Sequence, residues 1–458
     1  MASPTTRLFY LLFLLTFLST CGTEEPTPAE TVPQEEELPP DPNAIVLDIF
    51  HPFSVGASIQ PELARQGRRF VRQNPQYRIK WTWAGSESVQ RLRARLNAGD
   101  PPDAALNADA FLVTMARQGL ALPLDTYLEG QNYEEDSRWL DTFWPGLMHN
   151  SHVANGAHGA HFYGIPWSAH VSGIYYNKGL FERRGYAVPT TWSQLVNLCQ
   201  TIRDQVHIPC FEADNFNGYN ARLLLYIATR YLGNDVLYDT ATNRSGTSWT
   251  NDPGFLKVAE MTQDFATQHY TRGWQGNRWP VGQMDWANEG AAMILMPTWL
   301  PSELRDVKAE DFIMDLFPFP AIEGATGNPT VSEIKFNGWF IPKGAKNPDG
   351  AMQLIKFLSS RQTQEENVKA GGVPPAIKGV SLPEGVEGAR PILAGDGGMP
   401  FAAGLDADAA DWLQTVLYPL NDQLMIGLIT PTQFIAQLQE EHDAFYAAAQ
   451  AAGHGDKL

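Results

Sequence analysis

The sequence is poor in basic residues, in cysteine and in long apolar runs. It has 33 Lys and Arg against 51 Asp and Glu, a net charge of −18. That balance excludes the concentrated cation a nucleic-acid backbone requires. An apolar run of eleven residues at 8–18 is too short to span a bilayer as a helix. There is no Gly-x-Ser-x-Gly, no His-Glu-x-x-His and no Gly-x4-Gly-Lys-Ser/Thr, so three common hydrolase and nucleotide-binding signatures are absent. Neither an internal repeat nor a heptad array is present.

What remains is an ordinary folded composition, 43% hydrophobic and 18% charged, with an excess of aromatics that includes 13 Trp and 15 Tyr. At 458 residues the chain exceeds what one core serves, so two lobes are expected. The N-terminus reads as a targeting segment, with Arg7 before the 8–18 run. It ends Leu18-Ser19-Thr20-Cys21, which resembles the lipobox of bacterial lipoproteins; that resemblance implies an acylated Cys21 and export to the cell surface or periplasm. Residues 22–43 carry six prolines and seven acids and form an extended, self-repelling tether. Cys199 and Cys210 then remain, either as a disulfide or as two buried thiols.

Strand and helix patterns alternate along 44–119: strands at 44–50, 78–83 and 104–106, with helical periodicity between them. This is an α/β chain with parallel strands and crossover helices. Ligands in such sheets sit beyond the carboxyl ends of strands, which nominates His51, Phe53, Glu87, Asn107 and Asp109. A second α/β set follows, with a strand at 210–212 and a polar loop holding Asn215, Asn217 and Tyr219. The stretch 163–178 (YGIPWSAHVSGIYYNK) reads as a strand leaving one lobe for the other, with Trp167 and His170 at the crossing. Residues 312–319 are a candidate second crossing. Helices close the chain, with capping devices at Asn347-Pro348 and Thr430-Pro431-Thr432-Gln433.

Four blocks recur together: Ala98-Gly99-Asp100-Pro101-Pro102-Asp103; 163–178 followed by Thr191-Trp192; 289–299, ending Met296-Pro297-Thr298-Trp299; and 339–342 with the helix at 347–359. As an ordered set they resemble the extracellular solute-binding proteins of ATP-driven sugar importers, the family that includes maltose-binding protein. The resemblance implies a two-lobed fold of type II: lobe 1 from 44–166 and 316–360, lobe 2 from 167–315 and 361–458, joined by hinge strands. It implies a monomer that binds a mono- or oligosaccharide in the cleft and hands it to a membrane permease, with no cofactor and no catalysis. Trp299 matches the family's Trp after the Ala-Ala-Met strand. Trp167, Trp339 and Trp274 are further aromatic platforms of the kind sugar faces require.

Two alternatives stay open. The same fold could take a polyamine or a metal complex, with Glu87, Asp109, Asp214 and Glu333 supplying charge. An exported glycoside hydrolase would need two flanking carboxylates. Five of the ten histidines fall within 149–170; His149, His152, His158 and His161 have loose metal-ligand spacing, although Asn155, Gly156 and Gly159 favour a solvated hairpin.

Overall fold

The computed structural model describes residues 41–154, 159–216, 218–244, 246–395 and 398–452. The targeting segment, Cys21, nearly all of the tether, His158 and Asn217 lie outside those residues. Among the described residues no helix is long and apolar enough to cross a membrane.

Alternation of strand and helix builds one mixed sheet. β1 (Ile45–His51), β2 (Tyr77–Trp83) and β3 (Ala104–Ala108) run parallel in the order β2-β1-β3. The helices Gln60–Gln73 and Ser88–Asn97 make the crossovers that parallel neighbours need. The first of these turns Leu63, Gly67 and Phe70 inward, one face of a 3.6-residue period. β4 (His152–Ala154) and β5 (Ala160–Phe162) form a separate two-stranded antiparallel sheet.

β6 (Ile165–Asn177) is the spine. At about 3.3 Å per residue a strand this long spans about 43 Å. Four further strands complete the sheet: β7 (Phe211–Glu212), β8 (Met293–Pro297), β9 (Met314–Phe317) and β10 (Ser332–Phe340); β11 (Gly398–Met399) joins β10. The order is β2-β1-β3-β10-β6-β8-β7, with β9 also on β6. Residues 165–171 of β6 pair with β10, and 172–177 pair with β8 and β9. One strand therefore serves both halves of the molecule, as expected from 163–178.

The second crossing is not at 312–319. β9 lies there and pairs with the far half of β6; Pro318 and Pro320 lack the amide hydrogens that would extend it. β10 crosses instead. Its start is held by the helix Arg222–Tyr231, through the Arg222–Glu333 ion pair at 3.2 Å and the Glu333 amide donating to the Tyr226 hydroxyl at 3.0 Å. Its end pairs with β3.

Side chains alternate across the far half of the sheet with period two. Met293 and Leu295 of β8 face one core, with the helices Trp192–Val206, Arg222–Tyr231 and Pro253–His269. Ile294 and Met296 face the other, which runs on through Trp339, Phe50 and Phe70. Residues 361–393, assigned from the sequence to the second lobe, pack on this latter core: Gln66 donates to Asn367 at 2.9 Å, Arg69 pairs with Glu366 at 2.6 Å, and Ile377 and Leu393 are buried in it. Cys199 and Cys210 are joined in a disulfide, so the two-thiol alternative falls away.

Candidate functional site

A cavity of about 460 Å³ opens where β1, β3 and β8 end and where β6 and β10 lie side by side. Phe53 reaches it from the loop after β1, Asp109 from the first position of the helix Asp109–Arg117, and Trp299 from just beyond β8. The crossing strands contribute Trp167 and His170 from β6 and Lys335 and Asn337 from β10. Tyr219 enters from the loop after β7, and Glu303 from the helix Leu300–Leu304. The cavity thus brings together Phe53 and Asp109, nominated by the strand-end rule, Trp167, nominated at the crossing, and Trp299, nominated by the family resemblance.

Behind this wall lies a box of rings centred on His51. Its imidazole is 4.7 Å from Phe53, 4.9 Å from Trp83, 5.7 Å from Trp339 and 6.0 Å from Trp167, centroid to centroid. Burial lowers its pKa to about 3, so the ring is neutral. Nδ1 accepts from the Phe53 amide at 3.3 Å, which places the proton on Nε2. His51 and Trp339 therefore support the lining residues and do not themselves line the cavity.

Trp299 is half-buried, with His170 at 5.5 Å and Tyr219 at 6.4 Å between ring centroids. The buried Arg222 guanidinium lies 4.9 Å from the Tyr219 ring and 6.0 Å from Trp299. Its partner Glu333 is also buried, so this ion pair fixes both platforms to the crossing strand.

The polar wall is nearly balanced in charge. Burial raises the Asp109 carboxyl to about 7; nearby Asp406 adds to the rise, and Lys335 opposes it. Lys335 lies 3.6 Å from Asp406. His170 falls to about 4, from burial and then from the charge of Lys335, and its Nε2 meets the Ser168 hydroxyl at 3.0 Å. The arrangement offers neutral and charged donors and acceptors beside aromatic faces.

Other nominated residues lie elsewhere. Trp274 is buried in a core, 5.9 Å from Tyr270. Glu87 is exposed at the end of the short turn Gly85–Glu87. Asn107 is buried beside β10, its side-chain oxygen accepting from the Ala108 amide at 2.9 Å. Asn215 donates its side chain to the Gln275 carbonyl at 3.0 Å, tying two loops together. Lys335, Asn337 and Glu303 escaped the sequence reading. The first two carried a signal, since residues two apart on a strand share a face.

The histidines disperse. His149 and His152 border a second cavity of about 200 Å³ with Arg117, Asp406 and Asp408, whereas His161 contacts Asp125 at 3.1 Å. Among the described residues no three His, Cys, Asp or Glu gather as metal ligands.

Residues 53–365 match the family of bacterial extracellular solute-binding proteins. The chain belongs to that family. This solute-binding protein is 23% identical over 313 residues to the diacetylchitobiose binding protein NgcE of Streptomyces coelicolor, which covers 64% of this chain and 62% of that one. It is 25% identical over 325 residues to the multiple sugar-binding protein of Streptococcus mutans, 68% and 71% of the two chains. The matched stretch thus spans under two thirds of the Streptomyces relative. The solved structure of the bacterial solute receptor AcbH shares the fold with a TM-score of 0.69 at 19% identity, over 87% of this chain and 97% of that one.

Proposed function

We propose that this solute-binding protein takes a carbohydrate into the 460 Å³ cavity and delivers it to the permease of an ATP-driven importer. The observation that carries the reading is the joint presence of Trp299, Tyr219 and Phe53 with Asp109, Asn337 and Lys335 around one space. A sugar has apolar CH faces that suit aromatic rings. Its hydroxyls need partners, since a buried polar group left unpaired costs about 1–3 kcal/mol. The names of the relatives, a diacetylchitobiose binding protein and a multiple sugar-binding protein, support the same class. Lys335 in the wall disfavours a polyamine, which would want acids alone. Bound sugar bridges side chains from the β1–β3 end and from the β7–β8 end, so it stabilises a closed arrangement by its differential affinity. The motion occurs about β6 and β10, in a monomer, with 361–393 moving with the β1–β3 side on which they pack. Cys21, acylated, and the tether at 22–43 hold the body near the membrane. The sugar leaves chemically unchanged.

A thermal-shift screen tests this with galactose, N,N′-diacetylchitobiose, maltose and raffinose beside putrescine and spermidine. A sugar at 100 times its dissociation constant stabilises by about 2.7 kcal/mol. Stabilisation by the amines alone, or recovery of cleaved sugar, contradicts the proposal.

A further inference from the structure

The row of rings at Trp299 and Tyr219 does not stop at the cavity. Tyr219 is 5.6 Å from Phe216, and Phe216 is 5.9 Å from Trp279, centroid to centroid. Phe216 is 40% exposed and Trp279 43% exposed, beside Val281 at 52% and Met284 at 36%. A concentration of exposed apolar side chains continuous with a binding cavity marks a recognition surface. A polar group follows the row as well. Glu303, which lines the cavity, accepts from the Trp279 indole N–H at 3.4 Å and from Gln283 at 2.9 Å.

The outer rings are held in place. Phe216 and Trp279 stand on two loops laced together by Asp214, whose carboxylate accepts from the Gly282 and Gln283 amides at 2.7 and 3.2 Å, and by the Asn215 amide donating to the Asn277 carbonyl at 2.8 Å. The loops touch backbone to backbone, since a Cβ on Gly282 would lie 2.4 Å from the Ala213 carbonyl oxygen. Exposed aromatics fixed in this way lose little entropy when a ligand settles on them.

We infer that the binding surface continues from the cavity along Phe216 to Trp279, and that the ligand is an oligosaccharide whose outer units lie on those two rings. The inference rests on the carbohydrate reading and adds chain length as the property selected.

Titration calorimetry of the full chain with three length series tests it: N-acetylglucosamine to tri-N-acetylchitotriose, glucose to maltotriose, and galactose through raffinose to stachyose. In the series that binds, affinity climbs with length. Trp279→Ala and Phe216→Ala each cut the ratio of longest-chain to monosaccharide affinity about tenfold, the equivalent of about 1.4 kcal/mol. Trp299→Ala weakens every length and leaves that ratio standing. Equal wild-type affinity at all lengths, or a ratio untouched by Trp279→Ala, overturns the inference while the carbohydrate reading survives. Absence of binding in all three series overturns both.

Discussion

Replacing Asp109 by Asn probes the electrostatics of the cavity with little change of shape. Asp109 is 5% exposed, and burial outweighs Lys335 in holding its carboxyl at about 7. In the unfolded chain an Asp ionises near 3.9. Between about pH 4 and 7 the folded protein keeps a proton that the unfolded chain has lost, so this residue makes stability fall as pH rises. A gap of roughly three pH units at about 1.4 kcal/mol per unit amounts to about 4 kcal/mol. That figure already includes the opposing charge of Lys335; relaxation of the wall and entry of water around the ionised carboxylate reduce the cost to about 2–3 kcal/mol. The substituted amide carries no charge at any pH. The Asp109→Asn protein should therefore gain about 2–4 kcal/mol on the wild type between pH 4 and pH 8. In a chain of this size that is about 2–4 °C of unfolding midpoint. Differential scanning calorimetry without ligand across that range measures it. Taking the difference between the two proteins removes the background from Glu212, which burial also raises to about 7. A difference that stays flat, or a wild type that gains on the variant as pH rises, refutes the reasoning.

Three more predictions concern the scaffold. Cys199→Ser with Cys210→Ser opens a disulfide spanning a sequence separation of 11, which should cost about 2.8 kcal/mol by loop closure; urea midpoints with and without reductant should then differ only for the wild type. Glu333→Leu strips the buried Arg222 of its carboxylate and should destabilise by about 3–5 kcal/mol, with Arg222→Met in the same chain restoring most of it; a double variant no better than the single contradicts the ion-pair account. Gly282→Ala drives a methyl into the Ala213 carbonyl, should cost about 1–3 kcal/mol, and should lower sugar affinity by parting the laced loops; unchanged calorimetry of that variant argues against the lacing.

Much of the fold was legible in hydrophobic periodicity. The alternation along 44–119 gave the parallel strands, and 163–178 gave β6. Only the second half of β10 was legible, as a short strand at 337–342; its first half carries Glu333 and Lys335, charges that Arg222 and Asp406 pair in the fold. The site was legible where strand ends marked it, at Phe53 and Asp109, and where the family block marked Trp299. Trp274 and Trp279 show the limit. Local sequence does not tell which of two nearby tryptophans packs on Tyr270 in the core and which stays 43% exposed; the tertiary contacts of β7 and its loop decide that. Asn215 likewise looked free for a ligand until Gln275 claimed its amide.

On the proposed function, Trp299 is the platform that holds a carbohydrate in this cavity. Isothermal titration of wild-type and Trp299→Ala protein, with whichever sugar of the screen binds, tests it most directly. Loss of a central aromatic contact of at least about 2 kcal/mol raises the dissociation constant about thirtyfold or more. Because Trp299 is only half-buried, the ligand-free midpoint should move by no more than about 2 °C. A wild-type dissociation constant retained by Trp299→Ala means that the carbohydrate does not rest on this ring.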